Sequence, residues 1–160
     1  MSIYDPSIER TIKAFRRDNN DDVLNELGGD FRYYKSKDKL YTFNAFTPMS
    51  GRRGAQHGPR LKYMVKGDDI AVFAVNRNTM GIDFKSSHTN KIPDNDRRIV
   101  FDLAGAVAIY AFDIIMALFD NNISESDCNN AMRRRGREFS ALSDSEIKNF
   151  IKQGRNLATY

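Results

Sequence analysis

Two arginine-rich stretches carry the clearest chemistry in this sequence. "GRRGAQHGPRLKYMVK", residues 51–66, holds Arg52, Arg53, Arg60, Lys62 and Lys66 and no acid, and "MRRRGRE" holds Arg133, Arg134, Arg135 and Arg137. A guanidinium is a planar fork of donors that grips a phosphate through two bonds, and neighbouring glycines let the backbone come close to a phosphate chain. Tyr63 adds a ring on which a base can stack. The four arginines at 133–137 fall within about one and a half helical turns, so they fan around a helix end. A fan suits a phosphate backbone better than the floor of a groove. Both stretches point to nucleic acid, with DNA first and RNA as the alternative. The conservative reading is two solvated faces that pair with acidic stretches elsewhere.

A third constellation lies in "GDDIAVFAVNRNTMGIDFKSS", residues 67–87, two apolar runs that read as strands joined by a turn. Asp83 and Lys85, two apart on one strand, share a face. A three-residue loop, Asn76-Arg77-Asn78, is the better turn chemistry because Asn78 tolerates the left-handed conformation. That register sets Asp69 opposite Lys85, which makes either a cross-strand ion pair or a cluster with Asp83. The arrangement resembles the core of the PD-(D/E)XK nuclease superfamily, with Asp69 as first acid, Asp83 as second and Lys85 as the lysine. The resemblance implies a magnesium ion held by Asp69 and Asp83, with Lys85 helping to activate water. It covers about 20 residues, has Asp where that family more often has Glu, and lacks a proline before Asp69. The same hairpin is similar to the entry of a KOW module, through Gly67, Asp68, Ile70 and Gly81. That second resemblance implies an SH3-like barrel that contacts nucleic acid without an active site or cofactor.

Composition narrows the remaining choices. At 160 residues, 41% hydrophobic and 29% charged, the chain reads as one soluble domain. The single cysteine, Cys128, excludes an internal disulfide and a cysteine-rich zinc site. With only His57 and His88, little is left for histidine catalysis. No basic segment followed by an apolar run opens the chain, so a cytoplasmic location is expected. Net charge is +4, distributed in blocks. Residues 1–30 and 67–130 are acidic, whereas 31–66 carry nine basic residues against one acid and 131–160 carry seven against three.

The elements that must position these groups can be read from periodicity. "DPSIERTIKAF" opens a helix with Pro6 in its first turn and Ile8, Ile12 and Phe15 on one face. The pattern runs on weakly through Val23, Leu24 and Leu27 to Gly28-Gly29. "FRYYKS", "LYTFNAF", "RLKYMVK", "DIAVFAV" and "TMGIDFK" then read as five consecutive strands. Between the second and third of them, residues 47–59 form a glycine-rich loop without apolar periodicity. The apolar run at 99–119 predicts one helix of roughly 31 Å, long enough to cross a bilayer. Asp102 and Asp113 argue against insertion and, with Asp120, form a stripe on a buried spine. Ala104, Gly105, Ala106 and Ala108 would let another element pack closely. Ser124 with Asp127, and Ser143 with Glu146, predict two further helix starts. Gly154 is expected to end the last helix.

The expected class is therefore α+β: an N-terminal helix, a five-stranded antiparallel meander that in one form closes as an SH3-like barrel, then three helices including the long buried one. The expected function is largely sequence-tolerant DNA binding, in the manner of a phage-type modulator of transcription or of a host nucleoid. The nuclease is the alternative. A protein–protein adaptor or inhibitor, working through Tyr33, Tyr34, Tyr41 and Phe43, is a further one. No membrane partner is expected.

Overall fold

The computed structural model describes residues 6–17 and 92–157 in full, except for the side chains of 119, 125 and 129. It describes residue 18, the segments between 32 and 84 given below, and 158–159 by backbone alone. Five helices make up the fully described part: α1 (Pro6–Asp18), α2 (Asp94–Tyr110), α3 (Phe112–Phe119), α4 (Glu125–Ser140) and α5 (Asp144–Leu157). That part is 85% helical and contains no strand, sheet or barrel. The expectation of an α+β domain organised by a five-stranded meander is thereby corrected. The physical reason lies in where the core sits. Its buried apolar side chains come from helical periodicity, whereas alternation along residues 31–84 fixes extended local conformation without saying what that stretch packs on.

The extended backbone segments are β1 (Arg32–Ser36), β2 (Lys39–Thr42), β3 (Ala45–Phe46), β4 (His57–Val65), β5 (Asp68–Asn76) and β6 (Gly81–Phe84). β1 pairs with β2, β4 with β5 and β5 with β6, all antiparallel. β2 pairs with β4, β3 lies off the path, and the C-terminal β7 (Ala158–Thr159) runs parallel to β6. Residues 19–31 and 47–56, with the expected Val23, Leu24 and Leu27 face and most of the glycine-rich loop, lie outside the described residues.

In α1, Ile8, Ile12 and Phe15 recur at helical spacing and are all buried. The face they form meets α2 and α5. Phe15 stands edge-on to Phe139 of α4, with ring centroids 5.4 Å apart, and Tyr110 contacts both Phe139 and Phe150 in the same way at 5.5 and 5.3 Å. Such edge-to-face packing aligns a positive ring edge with a negative ring face. Arg16 then fastens the far end of α1: its guanidinium donates to the backbone carbonyls of Ser140 and Leu142 and to Asp144 Oδ1. The Ser140 carbonyl ends the last turn of α4, where a helix leaves acceptors without intrahelical partners, and that of Leu142 lies just beyond it.

The expected single helix at 99–119 is two helices. The chain breaks at Ala111, and α2 and α3 meet at a 76° bend. No single helix among the described residues is long and apolar enough to cross a membrane. No proline or glycine marks the break. Asn121, in the left-handed region at φ 60°, ends α3: its N–H donates to the Leu118 carbonyl and that of Asn122 to the Ala117 carbonyl. The two later helix starts form at the expected serines. Ser124 Oγ accepts from the Asp127 N–H at 3.0 Å, while Ser143 and Glu146 exchange bonds of 3.2 and 3.1 Å in a reciprocal box.

Gly154 does not end α5 but lies within it, against Gly105 of α2. A Cβ at 154 would stand 2.9 Å from the Gly105 carbonyl carbon, so the two backbones approach as closely as atoms allow. The small residues read from the sequence at 104–108 thus do admit another element, and it is α5.

Candidate nucleic-acid interface

α4 carries the arginine cluster, and the helix sorts it. Arg135 turns toward the α2–α3 elbow. Its guanidinium donates to Asp113 Oδ1 and Oδ2 at 2.8 and 3.1 Å and to the Tyr110 carbonyl at 2.9 Å. It also lies over the Tyr110 ring, 5.6 Å from the centroid, and approaches Glu138 at 3.5 Å. The Tyr110 carbonyl sits at the end of α2, where Arg135 supplies the donor it needs. The bond from Arg135 holds the Asp113 carboxyl below the usual carboxylate range, against the opposing effect of partial burial. In return Asp113 raises the Arg135 guanidinium, and burial, followed by the charge of Glu138, pushes the Tyr110 phenol up. Arg135 is therefore committed to the fold.

Arg134 and Arg137 are different. Both are exposed, three positions apart on the outward face of α4, and they make no ion pair among the described residues. Arg133 is half-buried and donates to Asn130 Oδ1 at 2.9 Å. The expected fan of four is thus an outward pair with one flanking arginine, and a fourth that holds the elbow.

The expected acidic stripe does not survive the bend. Asp113 is exposed and faces Arg135, whereas Asp102 is fully buried and faces Arg155 of α5. Arg155 Nε and Nη2 donate to Asp102 Oδ1 and Oδ2 at 2.9 and 2.8 Å, and Nη2 also donates to Ser7 Oγ at 2.8 Å. The Thr11 hydroxyl donates to Asp102 Oδ2 at 2.9 Å, and Arg98 approaches Oδ1 at 3.8 Å. This cluster ties α1, α2 and α5 together and meets the requirement that a buried carboxylate be bonded on both oxygens. Sequence reading missed Arg155 because it lies 53 residues from Asp102.

The remaining candidates fall elsewhere. Arg52, Arg53, Lys66 and Lys85 lie outside the described residues, and Arg60 and Lys62 are on β4, described by backbone alone. Asp69 and Asp83 are on β5 and β6, also by backbone alone. The hairpin register differs from the one expected: Asn76 pairs with Gly81, so four residues separate the segments instead of three, and Asp83 pairs with Ala74. Asp69 pairs with Met64 on the other side of its strand. Ala74 lies five positions beyond Asp69, about 16 Å of extended chain. Two carboxylates sharing one magnesium ion each stand about 2 Å from it, so this register does not bring Asp69 and Asp83 to a common ion. Among the described residues no group of three or more His, Cys, Asp and Glu side chains is placed to hold a metal. Cys128 is fully buried in α4.

The chain matches none of the protein-family models, curated proteins and solved structures with which it was compared.

Proposed function

We propose that the protein binds duplex DNA largely without regard to sequence, through the outward arginines of α4 together with the basic stretch at 51–66. The observation that carries this reading is the exposure of Arg134 and Arg137 on one helix face while their neighbour Arg135 is engaged in holding the elbow. Exposed guanidiniums three apart project toward adjacent phosphates, and phosphate contacts position a protein on DNA without reading bases. In the second block, Arg52, Arg53, Arg60, Lys62 and Lys66 stand among 16 residues with no acid. No cofactor is required for binding of this kind, and the cytoplasm is the compartment in which it would act.

The test is a mobility shift with duplex DNA, with and without magnesium, run beside RNA of matching length. A shift without cleavage supports the binder. Magnesium-dependent cleavage abolished by Asp83→Ala would replace it with the nuclease reading. Absence of any shift, with protein partners captured in high salt after nuclease treatment, would replace it with the adaptor.

A further inference from the structure

The elbow between α2 and α3 is a single residue. α2 ends at Tyr110, α3 begins at Phe112, and Ala111 between them stands at φ −107° and ψ 21°. Nothing in the local sequence requires a bend, since residues 107–115 contain neither glycine nor proline. The helical ladder also resumes at once: the Ala111 N–H donates to the Val107 carbonyl at 2.8 Å, and the Ile115 N–H to that of Ala111 at 3.1 Å. In an unbroken helix the Tyr110 carbonyl would accept from the Ile114 N–H. Here it accepts from Arg135 of α4 at 2.9 Å. A tertiary contact therefore holds the bend, and a guanidinium stands where a helical donor would.

The contacts that close the helical core fall on either side of this joint. α1 and α2 come before it, and α3, α4 and α5 after it. Phe15 on Phe139, Arg16 on the Ser140 carbonyl, Arg155 on Asp102 and Gly154 on Gly105 all join the first group to the second. The pair of Arg135 with Asp113 lies within the second group. We propose that Ala111 is a hinge for domain swapping: α2 and α3 join into one helix, and α3–α5 of each chain dock on α1 and α2 of a second copy of this chain. Complementarity fixes the partner, because the surface bared by straightening is the one that the same chain covers when bent. Each of the contacts across the joint is remade between copies. At the hinge, the bond from Arg135 to the Tyr110 carbonyl is exchanged for a helical one from Ile114. A short hinge invites such an exchange, and association draws it forward with concentration.

The test is size-exclusion chromatography with light scattering over a concentration series, comparing the full chain with R135Q, R135K and A111G/R135Q after equilibration. R135Q removes a donor to Tyr110 that only the bent form uses. The dimer dissociation constant should fall by about 25-fold, about fivefold for each of two elbows. R135K, which keeps a charge for Asp113 but lacks the fork that reaches Tyr110 at the same time, should act in the same direction. Adding A111G disfavours the continuous helix by about fivefold per hinge and should restore the parent's constant. In the R135Q dimer, spin labels at N95C and D120C, diluted with unlabelled chain, should lie about 37 Å apart along one helix, against about 30 Å across the 76° bend. Arg135 variants that associate no more tightly than the parent, or a dimer whose labels keep the bent distance, would overturn the hinge.

Discussion

Arg155 of α5 holds the buried carboxylate of Asp102 in α2 through two bonds of 2.9 and 2.8 Å, and the same guanidinium reaches Ser7 of α1. One ion pair therefore joins three helices around a buried carboxylate.

Removing one partner of a buried pair leaves the other uncompensated, which typically costs about 3–5 kcal/mol. Asp102→Asn should thus lower the melting temperature by roughly 6–20 °C in a chain of this size. Replacing both partners with apolar residues of similar volume, Asp102→Leu with Arg155→Met, should recover much of the loss. A thermal melt of the parent and both variants checks the order, and a single variant as stable as the parent would show that the pair does not join the helices.

The glycine contact between α2 and α5 is asymmetric. A Cβ on Gly105 would find Gly154 at 3.5 Å, an ordinary contact, whereas a Cβ on Gly154 would meet backbone at 2.9 Å. Gly105→Ala should be neutral or gain up to about 1 kcal/mol from helix propensity. Gly154→Ala should lose about 1–3 kcal/mol through overpacking. Denaturant unfolding of both variants tests the asymmetry, and equal effects would contradict it.

These contacts show what periodicity could and could not reveal. Ile8, Ile12 and Phe15 were legible as the buried face of α1 because one helix supplies the whole pattern. The serine starts of α4 and α5 were legible because caps act within three residues. The elbow at Ala111 was not, since neither proline nor glycine marks it and the apolar run continues through it. Once the run bends, Asp102 and Asp113 no longer share a face, so their partners, Arg155 and Arg135, could not be read from helical spacing. Gly154 reads as a stop in the sequence because a glycine near a helix end usually is one, and only the facing Gly105 gives it another use. Among the candidate site residues, the cluster at 133–137 was legible as basic but not as divided, because the elbow that engages Arg135 is tertiary.

That division has its own consequence. Arg135→Gln should remove the donor to Tyr110 and the partner of Asp113, lowering stability by about 1 kcal/mol, as for a partly exposed pair. R134Q/R137Q should leave melting unchanged and weaken DNA binding. Melting curves and binding isotherms on the same preparations test this, and the opposite pattern would reverse the assignment.

Acid should act on the same elbow. The Asp113 carboxyl is held below its ordinary range by Arg135, so its contribution is present above the unfolded pKa of about 4 and is lost as pH falls through the lower folded value. The parent should therefore be slightly more stable than Asp113→Asn at pH 7, by under about 1 kcal/mol, and the two should converge on acidification. Chemical unfolding of both from neutral pH to below pH 4 checks the sign. A gap that widens in acid would contradict it.

Contact with phosphate is tested most directly by the salt dependence of duplex binding. If about five phosphates are neutralised, log affinity should fall against log salt with a slope of roughly −4.5, equally for unrelated sequences. Replacing Arg134 and Arg137 should flatten that slope by roughly 1.8. A slope near zero, or one that these two replacements leave unchanged, would contradict the account.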